Sequence, residues 1–137
     1  MDHEKLCSQI LKMDPKIRFA SVYNEWAEHI AGGMQEGLDA RLPESLTHET
    51  VNQAILRWES RKKMYEWVGK AKYAMTEYER VKRFTFYLND NNLLLVSTEL
   101  DADHVTMISK IQKLLKQSPG YSKLSYLQSN QIDDINF

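Results

Sequence analysis

The chain has 137 residues, enough for one domain that buries roughly two-thirds of the surface its unfolded form exposes. No run approaches the roughly 20 apolar residues that cross a bilayer, and no apolar signal-peptide core follows the polar N-terminus. We therefore expect a cytoplasmic protein with no membrane association. A net charge of −1 argues against a generic nucleic-acid binder, and the single cysteine, Cys7, excludes an intramolecular disulfide.

The first predicted element is a helix, because Leu6, Ile10 and Met13 recur at helical spacing. Asp14-Pro15 should end it, since the residue before a proline is pushed out of the α region.

Two strands, at 17–23 and 28–34, should follow as a hairpin with its turn at 24–27. Gly32-Gly33 weaken the second strand and indicate either a bulge or a close approach of another backbone. The stretch 35–46 is predicted to be irregular.

A long helix is predicted over 47–68, with Thr47 as its N-cap and Gly69 as its terminator. Its predicted apolar stripe comprises Val51, Ala54, Ile55, Trp58 and Tyr65.

After Gly69 the apolar period changes to two, which predicts a strand over 71–78 with Ala71, Tyr73 and Met75 on one face. The face that carries Tyr73 is assigned to the core. Further strands are expected at 81–88 and 93–96. Asp101 or Asp103 should then cap a closing helix that ends at 118–120. Its predicted stripe comprises Val105, Ile108, Ile111 or Met107, Leu114 and Leu115.

The elements read α-β-β-α-β-β-β-α in chain order. Hairpins and a meander of this kind close by short turns into one antiparallel sheet that helices can cover. We therefore predict a single α+β domain over 1–118, a five-stranded antiparallel sheet with helices on both faces. A polar, mobile tail is expected at 119–137.

Charge is distributed unevenly: residues 57–83 carry +5 and the rest of the chain −6. Basic residues interleaved with aromatic ones also occur where proteins hold single-stranded nucleic acid. Because acidic residues dilute this segment, we favour a protein interface or a solvated helix face over a nucleic-acid track. The residues assigned to partner binding are Arg57, Arg61, Lys62 and Lys63, with Arg80, Lys82 and Arg83 approaching from the neighbouring hairpin.

Trp26 lies at the predicted tip of the first hairpin. It either contacts a partner, as loop aromatics often do, or folds back over the hairpin. The sequence leaves both interpretations open.

Glu99, Asp101, Asp103 and His104 lie within six residues and together offer donors for a divalent cation. The pattern lacks the glycine and the distant glutamate of a calcium loop, so we interpret the aspartates as helix caps. The sequence has no nucleophile elbow, P-loop or dinucleotide fingerprint either. We predict no enzyme, no cofactor and no metal.

The element order resembles the roadblock/longin group of profilin-like domains, over Glu4 to about Ser118. Local segments also resemble an uncharacterised archaeal family of small cytoplasmic proteins. These segments are Asp14-Pro15-Lys16-Ile17-Arg18-Phe19, Gly32-Gly33-Met34-Gln35-Glu36-Gly37, Arg57-Trp58-Glu59-Ser60-Arg61-Lys62-Lys63, Lys72-Tyr73-Ala74-Met75-Thr76-Glu77-Tyr78-Glu79 and Leu94-Leu95-Val96-Ser97-Thr98-Glu99.

The roadblock resemblance implies one helix on one face of the sheet, two on the other, a homodimer, and a platform for a small GTPase or a larger assembly. It also places an edge strand, prone to pairing with a second copy, at Lys72, Tyr73, Ala74, Met75 and Thr76. The leading hypothesis is thus a regulatory or scaffold module. The alternatives are a sensor that binds a small ligand between the sheet and the 47–68 helix and, as the least favoured, a nucleic-acid-associated protein.

Overall fold

The computed structural model describes residues 1–117, so the tail predicted at 119–137 lies outside the described residues. The predicted element order is confirmed, with one interruption in the middle helix. The elements are α1 (His3–Met13), β1 (Ile17–Tyr23), β2 (His29–Met34), α2 (Glu44–Arg61), a 3₁₀ turn (Lys62–Met64), α3 (Tyr65–Val68), β3 (Ala74–Glu77), β4 (Lys82–Tyr87), β5 (Leu93–Thr98) and α4 (His104–Gln117).

The five strands form one antiparallel sheet in the order β2-β1-β5-β4-β3. β5 is central, which explains its unbroken apolar run, and its Val96 lies between Ala20 of β1 and Phe84 of β4. β2 and β3 are the two edges. The predicted α+β fold, with helices on both faces of a five-stranded sheet, is confirmed.

Two helices, α1 and α4, cover one face of the sheet. Each begins at an aspartate cap: Asp2 Oδ1 accepts the N–H of Lys5 at 3.0 Å, and Asp103 Oδ1 accepts that of Thr106 at 3.2 Å. Their buried stripes meet the side chains that alternate along the strands. The helical residues in this core are Leu6, Cys7 and Ile10 of α1 and Met107, Ile108, Ile111 and Leu115 of α4.

The opposite face is covered by α2, through Val51, Ala54, Ile55 and Trp58. Trp58 is fully buried. Its indole N–H donates to Thr85 Oγ1 at 2.9 Å, and its ring stacks on Tyr87 with the centroids 5.8 Å apart. This side chain therefore fixes α2 against the half of the sheet that leads to the β3 edge.

At Gly32 the structure shows the close backbone approach, one of the two alternatives left open for Gly32-Gly33. The φ of Gly32 is +86°, and a Cβ built there would lie 2.1 Å from the Ala20 carbonyl oxygen and 2.8 Å from Cys7 Sγ. Cys7 is buried beneath the hairpin, and this burial, followed by the charge of Glu4, raises the pKa of its thiol to about 12. Only a residue without a side chain fits position 32.

The middle helix differs from its prediction at both ends. It begins at Glu44, so the assignment of Thr47 as N-cap is wrong: the Pro43 carbonyl accepts the N–H groups of Leu46 and Thr47 at 3.1 and 3.0 Å. Pro43 is the N-cap residue, with φ −58° and ψ 147°, and its side chain forms no cap hydrogen bond. The predicted 47–68 helix is also interrupted by the 3₁₀ turn. Gly69 does end it, at φ +82°, with its N–H donating to the Tyr65 carbonyl.

Two apolar assignments are wrong. The predicted buried stripe of α4 includes Val105, which is 71% exposed, and Met107 is buried instead. Ile108 and Ile111 set the phase of α4, and at 3.6 residues per turn Val105 falls at the margin of their stripe. Tyr73 is predicted on a core face of a strand, but β3 begins only at Ala74, and Tyr73 is half-exposed.

Candidate interaction surface

The outer side of β3 is an open sheet edge. Of the five residues predicted for it, Ala74, Met75 and Thr76 lie in the strand, while Lys72 and Tyr73 precede it. The N–H of Tyr78 donates to the Val81 carbonyl of the β3–β4 turn. Because alternate residues of a strand point their backbone groups to opposite sides, those of Met75 and Glu77 point away from β4. Within residues 1–117, no strand pairs with this side.

Exposed apolar side chains surround this edge. Tyr73 and Met75 lie on the α4 side of the sheet and Tyr78 lies just beyond the strand. Tyr73 and Met75, together with Val105, border an open groove of about 230 Å³ between β3 and α4. An unpaired strand with apolar neighbours is a template for pairing with another chain.

The opposite edge, β2, is protected by side chains. Glu4 Oε1 accepts the N–H of Gly32 at 3.1 Å, and His29 Nε2 donates to the Gly32 carbonyl at 3.1 Å. These bonds occupy backbone groups that a second strand would need. β3 is therefore the edge better suited to pairing.

The predicted basic cluster is only partly free. The Arg61 guanidinium lies over the Trp58 ring, 4.7 Å from its centroid, and Lys62 pairs with Glu59 at 3.0 Å. Glu59 also accepts a 2.6 Å hydrogen bond from the Tyr87 hydroxyl. That bond, followed by the one from Lys62, lowers the pKa of Glu59. Arg61 and Lys62 thus cover the Trp58–Tyr87 pair.

Arg57 and Lys63 remain exposed and have no ion-pair partner within residues 1–117. We call these two residues, Arg57 of α2 and Lys63 of the 3₁₀ turn that follows it, the α2 basic surface. Their charges are available to an acidic partner without the loss of an existing contact.

The residues expected from the neighbouring hairpin behave differently from one another. Lys82 is buried on the α4 side, where its Nζ donates to the Ala102 carbonyl at 2.9 Å and to His104 Nδ1 at 3.0 Å. Its assignment to the basic cluster is therefore wrong, because alternation along β4 turns it to the other face. Arg83 does face α2, and both of its terminal nitrogens lie 3.4 Å from Thr50 Oγ1.

Arg57 and Arg83 line a second groove of about 120 Å³, between α2 and the β3–β4 hairpin. Thr76 and Tyr78 of the β3 side also line it. No spacing in the sequence brings these residues together as a groove. The sequence predicts only that Arg83 and Thr85 share one face of β4, because side chains alternate along a strand.

Trp26 is 69% exposed at the tip of the β1–β2 hairpin. Asn24 Oδ1 accepts the N–H groups of Trp26 and Glu28, and Ala27 adopts φ +62°, which together form a tight turn. The indole does not fold back over the hairpin. The remaining interpretation of Trp26 is that of a residue that contacts a partner.

The acidic residues between Glu99 and His104 each have a partner other than a metal. Glu99 pairs with Arg18 at 2.6 Å, Asp101 with Lys16 at 3.0 Å, and Asp103 caps α4. Across the described range, no three His, Cys, Asp or Glu side chains come together as metal ligands would. None of the helices in that range has the length and apolar character that a membrane crossing requires.

Comparison with solved structures places the fold among roadblock/LC7 domains. The chain is 16% identical to the roadblock/LC7 domain from Streptomyces avermitilis, with a TM-score of 0.63 over 93% of this chain and 99% of that one. The gliding protein MglB from Thermus thermophilus is 10% identical, with a TM-score of 0.62 over 80% and 78%. A structure described as MglB with tetrameric arrangement is 12% identical, with a TM-score of 0.62 over 93% and 88%.

At the level of sequence, one family model matches residues 1–121, and its description is "Family of unknown function (DUF6659)". The chain matches no curated protein sequence.

Proposed function

The chain belongs to the family of unknown function DUF6659, and on that premise we propose that it is a non-enzymatic regulatory or scaffold module. It forms a homodimer and binds a protein partner. The single observation that carries this proposal is the open β3 edge with its exposed apolar side chains, whereas on the β2 edge side chains occupy the backbone groups of Gly32.

Pairing of two β3 strands about a two-fold axis would join the sheets of two copies into one continuous sheet. It would satisfy the outward backbone groups of Met75 and Glu77 and cover Tyr73, Met75 and Tyr78. A solved MglB of the same fold is described as having a tetrameric arrangement, which supports self-association of the chain. Lys72 to Thr76 thus remain the proposed dimer edge.

We expect the protein to be a dimer at micromolar concentration. Light scattering should give twice the 16.1 kDa mass of the chain. Met75→Lys should shift the mass toward that of the monomer. A lysine on an edge strand disfavours strand pairing, and in the dimer the two introduced lysines would lie close together and repel each other. Trp26→Lys, at the other end of the sheet, is the matched control and should remain dimeric. A wild-type monomer throughout this range contradicts the proposal.

The proposed partner is a protein with an acidic surface, and the candidates are a small GTPase or a larger complex. The α2 basic surface, with Arg61 and Lys62 beside it and Trp26 as a separate exposed anchor, supplies the contacts. Nucleic acid is disfavoured because Lys62 is paired and Lys82 is buried. We also propose an archaeal origin and a cytoplasmic location.

Reversing the charge of the α2 basic surface should reduce partner capture. The variant Arg57→Glu with Lys63→Glu should melt within a few degrees of the parent, since exposed charges alter stability by less than about 0.5 kcal/mol. It should recover less partner, with the largest deficit at low salt. The control Lys110→Glu with Lys113→Glu makes the same charge change on exposed residues of α4. If both double variants recover equally little partner, the loss reflects the change in net charge and not the α2 basic surface.

The sensor alternative also has an observation in its favour. The groove between α2 and the β3–β4 hairpin is where a small ligand between sheet and helix would lie.

A further inference from the structure

We propose that the groove between α2 and the β3–β4 hairpin is a phosphate-binding site in which Arg57 and Arg83 hold the anion. The site concerns a small ligand of the single chain, so it does not rest on dimer formation or on the protein partner.

The two arginines enter the groove from different elements, Arg57 from α2 and Arg83 from β4. No aspartate or glutamate lines the groove, so its charged side chains are both positive. Leu93 and Leu95 of the central strand also line it. A partly enclosed pair of like charges is stabilised by an anion between them.

Three of the four other arginines of the described range have a charged or aromatic partner, and the fourth, Arg80, lies on the exposed β3–β4 turn outside the groove. Arg18 forms a 2.6 Å ion pair with Glu99, Arg41 lies 3.7 Å from the same carboxylate, and Arg61 lies over Trp58. Within residues 1–117, the Arg83 guanidinium forms side-chain hydrogen bonds only to the Thr50 hydroxyl, at 3.4 Å, and the Arg57 guanidinium forms none. These long contacts to a neutral oxygen leave the donors of both guanidinium groups available.

The geometry favours phosphate over carboxylate. A carboxylate has two oxygens in one plane and suits one guanidinium, whereas a phosphate offers oxygens in several directions and can contact two at once. A phosphate dianion also matches the two positive charges. The groove has the volume of about four water molecules at roughly 30 Å³ each, which suits a single phosphate group. Gln53, Thr76 and Tyr78 add neutral polar groups at its margin.

The test is a titration of the ¹⁵N-labelled protein with inorganic phosphate, at constant ionic strength, observing the side-chain Nε–Hε resonances of Arg57 and Arg83. Both resonances should shift and saturate with one shared midpoint on the order of 1 mM. Arg83→Gln should weaken binding at least about tenfold, because it removes charge-assisted hydrogen bonds. Arg57→Gln, at an exposed position, should do the same and serves if Arg83→Gln folds poorly.

Lys63→Gln is the matched control, since it removes one positive charge outside the groove and should leave the midpoint unchanged. Acetate at the same ionic strength should not produce a saturating shift of both resonances. Glycerol 3-phosphate distinguishes the source: binding as tight as that of inorganic phosphate identifies a phosphorylated molecule, and much weaker binding identifies free phosphate. A non-saturating drift, an equal effect of acetate, or equal weakening by Lys63→Gln overturns the proposal. None of these outcomes depends on the mass of the protein in solution.

Discussion

Replacing Trp58 with alanine should lower the free energy of unfolding by about 3–5 kcal/mol, as large-to-small changes at buried aromatic positions do. The substitution removes a fully buried indole, its 2.9 Å hydrogen bond to Thr85 and its stacking on Tyr87. It also removes the ring over which Arg61 lies.

Urea unfolding followed by circular dichroism measures this loss without depending on tryptophan fluorescence. Trp67→Ala is the matched control, since Trp67 is 72% exposed and should change stability by less than about 0.5 kcal/mol. Trp58→Phe keeps an aromatic ring but loses the N–H donor, so its free energy of unfolding should lie between those of Trp58→Ala and Trp67→Ala. Equal stability of the Trp58→Ala and Trp67→Ala variants would contradict the packing described for α2.

The Gly32→Ala variant should be the second most damaged, losing at least about 2 kcal/mol of stability. A left-handed backbone costs a residue with a side chain about 1–2 kcal/mol. The new methyl group would also meet the Ala20 carbonyl oxygen at 2.1 Å, a contact with backbone that no side-chain rotation relieves. Separation of β1 from β2 would be required, and Cys7 beneath them would lose its cover.

Gly33→Ala supplies the control one residue away. A Cβ at Gly33 meets no atom within 4 Å, so this variant should stay within about 0.5 kcal/mol of the parent. The same urea titration compares the two variants. If Gly32→Ala unfolds at the same urea concentration as Gly33→Ala, the close approach between β1 and β2 is not present in solution.

The fold was predictable from sequence wherever periodicity decided it. The α1 stripe, the alternation of Phe84 and Phe86 along β4 and the continuous apolar run of β5 each predict one element. Boundaries depended on local backbone chemistry instead. Pro43 is the N-cap of α2 and its carbonyl accepts the first hydrogen bonds, whereas the sequence offered Thr47 as a residue of the preferred cap type.

The candidate surfaces were less predictable, because they depend on which elements become neighbours. Spacing along α2 grouped Arg61 with Lys62 as a basic cluster. In the fold, however, Glu59 binds both Lys62 and the Tyr87 hydroxyl of the sheet, and Arg61 packs over the Trp58 ring. The groove shared by Arg57 and Arg83 joins residues from two elements that are distant in the chain. The packing of α2 on the sheet places both residues at this groove, and no local sequence pattern predicts it.

Disulfide cross-linking along β3 tests the proposed homodimer most directly. Two antiparallel strands related by a two-fold axis bring only the residue at the axis opposite its own copy, about 4.5–5.5 Å away at Cα, within disulfide reach. Single cysteines at positions 73 to 77 should therefore give covalent dimers under mild oxidation at one or two adjacent positions only. The native Cys7 is buried, and the pKa of its thiol is raised to about 12, so it should stay unreactive. A cysteine in place of the exposed Lys110 on α4 should not cross-link. Cross-linking at no β3 position, or equally at all of them and at position 110, would contradict a dimer formed through this edge.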